Sequence, residues 1–316
     1  PIKRFGGTAS GPEPLKRMHQ LISQILDKRV GSPLQMVDIT DIGNIIGTCV
    51  VSGSTRRSAE IVFEDHDSES LEDFLNLKNP AKFPERVPWM WMSNNSVRVK
   101  VGDDFSAISE AVQMNGEPGL MWLDVAQKFG RLKDAPDYRD AQAKGGNPCL
   151  EQILFSGELC NLGEVFLGNC DDLDDLIKTI KVAYLYCKSV TLLPTKWERT
   201  NTIMQRNRRI GLSLSGVADF VDSHGLAHLR DILEDGYHYT AKIDKTYSEW
   251  LCVRESIRRT TVKPSGSISL LAGSSPGVHW TPGGAHFIRR ITFSKDNPIF
   301  KRLVDAGYTT ESLDHD

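Results

Sequence analysis

Helical patterns that alternate with short apolar runs are the feature that most restricts the fold of this chain. Four segments have the residue pattern of helices, and they are residues 15–26, 105–114, 173–187 and 241–254. Four shorter runs have strand character, and they are residues 58–63, 120–125, 209–215 and 260–263. Helices that separate short apolar strands favour a parallel sheet or barrel with both faces covered. The sequence therefore predicts one mixed α/β domain, with Cys187 on a core-facing side of its helix.

Composition limits the function classes. The chain has 316 residues, of which 40% are hydrophobic and 25% charged, so it can bury a substantial core. A net charge of −3 argues against binding along nucleic acid, and no apolar run approaches the roughly 20 residues that cross a bilayer. Six cysteines lack zinc-site spacing and are too sparse for a disulfide scaffold, so we expect reduced thiols, no metal site and a cytoplasmic protein. Because it opens at Pro1 and stops at Asp316 in polar sequence, we also expect a piece of a longer polypeptide.

The stretch Asn147-Pro148-Cys149-Leu150-Glu151 is the first candidate site. Alternate residues of an extended segment share a face, and Pro148 biases the residue before it toward that conformation. We therefore expect Asn147, Cys149 and Glu151 to point at one substrate. An amide, a redox-capable sulfur and a base together indicate chemistry on a hydroxylated carbon.

A second candidate site lies where a strand-like run ends and a helix-like run begins at Ile268. The N-terminus of a helix offers free N–H groups to a phosphate, so Pro264, Ser265, Gly266 and Ser267 are candidate phosphate-binding residues. Serine and glycine are also ordinary helix caps, and on these residues alone that interpretation is favoured by about two to one.

Several ordered motifs resemble one family. The segment GNPCLEQILFSGELCNLGEVF, residues 146–166, resembles the finger loop of ribonucleotide reductases, specifically of the adenosylcobalamin-dependent class II enzymes. Six further motifs resemble that family in the same order, and they are GSTRRSAE (53–60), SNNSV (93–97), NGEPG (115–119), NRRIG (207–211), TVKPSGS (261–267) and GVH (277–279) followed by Arg289-Arg290. The eleven-residue gap from Cys149 to Cys160 and the late GVH resemble the monomeric, triphosphate-reducing branch.

The resemblance implies a fold. It is the central part of a ten-stranded α/β barrel, in which a finger loop at about residues 145–165 carries Cys149 into the barrel centre. Residues 1–316 would then be part of a catalytic barrel domain, with N-terminal and C-terminal parts of the parent protein missing.

The resemblance also implies a radical mechanism. The cysteine at position 149 becomes a thiyl radical that removes the 3′-hydrogen of the ribose, Glu151 takes the proton of the 3′-hydroxyl, and Asn147 holds the substrate. Adenosylcobalamin supplies the first radical, and the residues that contact it are not assigned. Cys160 resembles one of two thiols that end as a disulfide. Its partner is expected upstream of Pro1, since Cys49 occupies a different place in the family's order.

The implied function is reduction of ribonucleoside triphosphates to deoxyribonucleoside triphosphates, with a deoxynucleotide effector and a thioredoxin-like dithiol reductant as partners. We expect no nucleic-acid or membrane partner, and no activity from this chain alone. One alternative is a class I large subunit acting on diphosphates. Another is a non-catalytic remnant that binds nucleotides, against which the intact set of Asn147, Cys149, Glu151 and Cys160 speaks.

Overall fold

The computed structural model describes residues 9–53, 56–280, 290–291, 293 and 297–311. Contacts divide the chain into two compact units, Pro1–Trp122 with Ile288–Asp316, and Leu123–Phe287. Ser54, Thr55 and Arg289, which belong to two of the motifs, lie outside the described residues. The assignment of residues 1–316 to one barrel domain remains a prediction.

The first unit contains a parallel three-stranded sheet in the order β1-β2-β3. Its elements are α1 (Glu13–Lys28), α2 (Met36–Val51), β1 (Glu60–Asp65), α3 (Leu71–Leu75), β2 (Ser93–Val99), α4 (Ser106–Asn115), β3 (Gly119–Trp122) and α11 (Pro298–Asp305). Val97 and Val99 of the central strand are fully buried and pack with Phe74 and Ile108. A central parallel strand has neighbours on both edges, so its apolar side chains form the middle of the core.

The second unit contains a parallel pair of strands, a short antiparallel pair and the two longest helices among the described residues. Its elements are α5 (Leu123–Lys128), β4 (Gly145–Gly146), β5 (Ile153–Leu154), β6 (Leu162–Phe166), α6 (Leu173–Val190), α7 (Glu198–Asn207), β7 (Gly211–Ser215), α8 (Val217–His224), α9 (Leu226–Trp250) and α10 (Ile268–Ala272). Strands β6 and β7 run parallel, with Leu162 opposite Gly211. Strands β4 and β5 form a hairpin, and the turn between them carries Cys149.

Helix α6 shows how local sequence sets an element of this unit. Asp172 caps its start, since its side chain accepts a hydrogen bond from the Asp175 amide at 2.8 Å. Apolar residues at helical spacing then place Tyr184 and Cys187 against α9 and the β6-β7 pair. The prediction that Cys187 faces the core is confirmed, because 1% of its surface is exposed.

Most predicted elements are present, and several bounds differ. The helices predicted at 15–26, 105–114 and 173–187 are α1, α4 and α6. The helix predicted at 241–254 is the end of α9, which starts at Leu226 and stops at Trp250, so the prediction was wrong for residues 251–254. The strand predicted at 120–125 was wrong in its second half, since β3 ends at Trp122 and the chain continues as α5. The strand predicted at 260–263 was also wrong, because Thr260 makes only an isolated bridge to Leu212. Across the described residues, no helix is both long and apolar enough to span a membrane.

Candidate active site

The Cys149 turn, which we define as residues 147–152, links β4 to β5. The backbone N–H of Asn147 donates to the backbone carbonyl of Gln152 at 3.2 Å, and the backbone N–H of Leu150 donates to the backbone carbonyl of Asn147 at 2.8 Å. Leu150 has a φ of 57°, which belongs to the left-handed region. The predicted extended segment was therefore wrong, because the chain reverses within these six residues.

The turn nevertheless brings the predicted groups close to one another. The Glu151 carboxylate raises the pKa of both the Cys149 and the Cys160 thiol, and the Asn147 amide acts on Cys160 in the opposite direction. Cys149 and Cys160 are exposed as residues although their sulfur atoms are partly shielded from water, whereas Asn147 is buried. The four groups named from the sequence therefore form one cluster, by way of a reversal rather than a shared strand face.

Both thiols are shifted toward the protonated form. Desolvation is the largest cause for each, followed by the Glu151 carboxylate. Together they raise the pKa of Cys160 to about 11 and also raise the pKa of Cys149, against which the Lys263 ammonium acts. At neutral pH the site therefore presents S–H groups rather than thiolates.

One carboxylate oxygen of Glu151 has no hydrogen-bond partner among the described residues. Its Oε2 is buried and makes no hydrogen bond to any residue that the structure describes. Buried carboxylate oxygens in folded proteins nearly always have a partner, so an orphaned one beside exposed thiols indicates where a ligand's polar group fits.

A buried charge network anchors the segment between β5 and Cys160. Glu158 accepts hydrogen bonds from the Phe155 amide at 2.9 Å and from Arg209 Nε at 3.0 Å. Arg209 also donates to Asp140 at 2.5 Å, and Asp140 receives Arg258 Nε at 2.7 Å. Because Arg209 and both of its carboxylate partners are buried, this segment is held in place at Glu158, two residues before Cys160.

The predicted phosphate segment starts beside the Cys149 turn. Thr261 donates its hydroxyl hydrogen to the Glu151 carbonyl, and Lys263 pairs with Glu164 at 2.6 Å. Of the four predicted residues, Gly266 and Ser267 are exposed, Pro264 is half-buried and Ser265 is buried. Phosphate binding by these four remains a prediction. Lys263 lies in the TVKPSGS motif, but nothing in its spacing indicated that its positive charge would act to lower the pKa of Cys149.

Comparisons with known proteins identify relatives of this chain. The model of the ribonucleotide reductase barrel domain matches residues 91–232. The adenosylcobalamin-dependent ribonucleoside-triphosphate reductase of Euglena gracilis is 49% identical over 98% of this chain and 42% of its own length. The enzyme of that name from Lactobacillus gasseri is 39% identical over 98% of this chain and 45% of its own length.

Solved structures show the same likeness. The crystal structure of a B-12 dependent, class II ribonucleotide reductase matches with a TM-score of 0.79 and 34% identity, over 89% of this chain and 42% of that one. The class Id α subunit from Actinobacillus ureae matches with a TM-score of 0.57 at 16% identity, over 86% of this chain and 56% of that one, which shows the fold alone.

The chain belongs to the ribonucleotide reductase family. Within it, the chain groups with the adenosylcobalamin-dependent, class II members, which confirms the resemblance drawn from the motifs. The predicted fold class, part of the α/β barrel of that family, is confirmed as well. The chain spans less than half the length of the Euglena and Lactobacillus relatives that it matches.

Proposed function

We propose that the full-length protein reduces ribonucleoside triphosphates to 2′-deoxyribonucleoside triphosphates with adenosylcobalamin as cofactor. The observation that carries the proposal is the exposed Cys149 thiol at the tip of a tight turn, next to the unpartnered Oε2 of Glu151. The names of the relatives from Euglena and Lactobacillus support the substrate and the cofactor.

The residues of the cluster divide the reaction between them. Cys149, as a radical, takes the 3′-hydrogen of the ribose, and the free Oε2 of Glu151 accepts the 3′-hydroxyl proton. The 2′ carbon–oxygen bond then breaks, and the hydroxyl takes a proton from one of two reducing thiols and leaves as water. The two thiols also supply two electrons and the hydrogen that C2′ gains, and they end as a disulfide, which an external dithiol re-reduces. Cys149 then returns its hydrogen atom to C3′, and Glu151 returns the proton to the 3′ oxygen. Cys160 is one of those thiols, and its neutral S–H form at physiological pH suits transfer of a hydrogen atom.

Adenosylcobalamin, when bound, supplies the radical that starts the reaction. The described residues fit such a group in one respect, which is the access that the exposed Cys149 gives to its sulfur. The same proposal includes a deoxynucleotide effector, a thioredoxin-like reductant and a cytoplasmic location. It also includes substrate-phosphate binding at Pro264–Ser267, supported by the hydrogen bond between Thr261 and the Glu151 carbonyl.

The test is deoxynucleotide formation by the full-length protein from a ribonucleoside triphosphate and a dithiol, with and without adenosylcobalamin. We expect product only with the cofactor, none from Cys149→Ser, and normal product from Cys252→Ser, which alters another exposed cysteine. Turnover without adenosylcobalamin would overturn the proposed cofactor, and preferential turnover of diphosphates would overturn the proposed substrate. An inactive wild type under all conditions would instead favour a non-catalytic role.

A further inference from the structure

Gln152 connects the Cys149 turn to the residue after Cys160. Its backbone amide donates to Asn147 Oδ1 at 2.9 Å. Its side chain then reaches Asn161, where Oε1 accepts from the Asn161 amide at 3.2 Å and Nε2 donates to the Asn161 carbonyl at 3.4 Å. We propose that Gln152 is a positioning residue that fixes Cys160 beside Cys149.

The Gln152 side chain makes the pair of hydrogen bonds to the Asn161 backbone that a neighbouring strand would otherwise make. In a hydrogen-bonded pair of antiparallel strands, each residue exchanges N–H and C=O hydrogen bonds with the residue opposite it. A carboxamide offers one acceptor and two donors at its end, so it can satisfy both groups of Asn161 at once. A glutamate would lose the donor, and a methionine of similar length would lose both bonds.

The surroundings leave room for this amide and little else. A Cβ atom on Gly211 would lie 2.4 Å from Gln152 Nε2, so the absence of a side chain at the start of β7 makes the space that the amide fills. Gln152 is 4% exposed, which excludes water from competing for its hydrogen bonds.

The residue that Gln152 holds is itself fixed. Asn161 donates its side-chain amide to the Cys187 carbonyl of α6 at 2.9 Å, and its own carbonyl accepts from the Gly211 amide at 2.9 Å. On the other side of Cys160, the Leu159 amide contacts the Met204 sulfur of α7 at 3.2 Å. Cys160 therefore lies between two anchored neighbours, and Gln152 ties the Cys149 turn to the second of them.

The positioning stands on geometry, whereas its value for catalysis rests on the proposed function. If Cys149 forms the substrate radical and Cys160 helps to reduce it, both thiols must face one ribose. A small rotation of the Cys149 turn relative to Asn161 would separate those two steps. We therefore expect loss of the Gln152 amide to change the relative position of the two thiols more than it changes the fold.

The test measures that relation without turnover. The reduced full-length protein is treated with a short bismaleimide, and peptide mapping gives the ratio of the Cys149–Cys160 cross-link to single adducts. We expect Gln152→Met to lower this ratio by about tenfold and Gln152→Glu to lower it less, because glutamate keeps the acceptor for the Asn161 amide. The matched control is Gln127→Met, which removes another side-chain hydrogen bond to a backbone carbonyl, that of Ala143 at 2.7 Å.

Thermal unfolding of each variant separates positioning from general destabilisation. Gln127→Met is expected to lower the melting temperature while leaving the cross-link ratio at the wild-type value. A wild-type ratio in Gln152→Met, or no cross-link in the wild type, would overturn the proposal. Should Gln152→Met not fold, Gln152→Glu gives the same decision. Because neither nucleotide nor cobalamin is needed, a wild type that cross-links but is inactive would overturn the proposed function alone.

Discussion

The thiols of Cys149 and Cys160 are kept protonated by their surroundings, and this decides which chemistry they can do. Desolvation is the main cause for both, and the Glu151 carboxylate adds to it. An ionic nucleophile needs the thiolate, whereas donation of a hydrogen atom needs the S–H bond. A carboxylate beside two thiols raises their pKa values, which would hinder an enzyme that needs a thiolate nucleophile. The same carboxylate favours an enzyme whose cysteines donate hydrogen atoms from S–H bonds.

The rate of Cys160 alkylation should therefore keep rising up to an unusually high pH. Since the pKa of Cys160 is raised to about 11, its reaction with iodoacetamide should accelerate until the pH nears that value. In the unfolded protein the acceleration should end at the ordinary thiol pKa, about 8.5. Glu151→Gln should move the midpoint down, because it removes the carboxylate that raises this pKa. Peptide mass spectrometry at each pH gives the rate for Cys160 alone.

The control is Glu249→Gln, which removes an exposed carboxylate outside this cluster and should leave the midpoint unchanged. An ordinary midpoint for Cys160 in the folded protein would contradict the environment described for it. An unchanged midpoint in Glu151→Gln would show that Glu151 does not act on this thiol.

At the scale of elements, a buried ion pair joins α6 to α9. Lys188 and Asp244 lie 2.7 Å apart with almost no exposed surface. Asp244 also accepts from the Tyr184 hydroxyl and from the Ser256 amide, so it fixes the chain after α9 as well. Burial lowers the pKa of Lys188 while Asp244 acts to raise it, and the pair is stable because each charge has several polar partners.

Asp244→Asn should destabilise the protein by about 3–5 kcal/mol, because it leaves the Lys188 charge buried without a counter-charge. Equilibrium unfolding in guanidinium chloride measures the loss. The double variant Lys188→Met with Asp244→Asn should recover part of it, since the unpaired charge is gone. Lys133→Met, at an exposed ion pair with Glu234, is the control and should change stability little. A small effect of Asp244→Asn alone would mean that water reaches Lys188.

Periodicity predicted α1, α4 and α6, whose bounds agree with the predictions within a few residues. The helices α2, α7, α8 and α11 were not predicted. The first half of α9 was missed because Gly236 interrupts the helical pattern, and in the structure this glycine is buried near Ile180. Tertiary contact allows a residue there that helix propensity disfavours.

The candidate site was predictable in its residue types but not in its geometry. Asn147, Cys149, Glu151 and Cys160 were named from spacing and motif, whereas the positive φ of Leu150 that brings them together leaves no sequence signal at a leucine. Gln152 was not singled out, because its partner is nine residues away and its space depends on Gly211 in another strand. Local patterns cannot show contacts that packing creates.

For the molecule as a whole, each of the two units has its own hydrophobic core. Phe74, Val97 and Ile108 belong to the core of the first unit, while Tyr184 and Tyr247 belong to that of the second. All the candidate site residues lie in the second unit. Units with separate cores can open separately, so the stability around Cys149 should depend on the second core.

Phe74→Ala tests this division. Phe74 is 2% exposed, and removing its ring should cost about 3–5 kcal/mol in the first unit. Hydrogen exchange with mass spectrometry should show faster exchange in α3, β1 and β2, with α6, α9 and the Cys149 turn unchanged. Phe220→Ala, in the second core, should give the converse pattern. Faster exchange throughout the chain in both variants would mean that the two cores unfold as one, and the Cys149 turn would then depend on packing in both units.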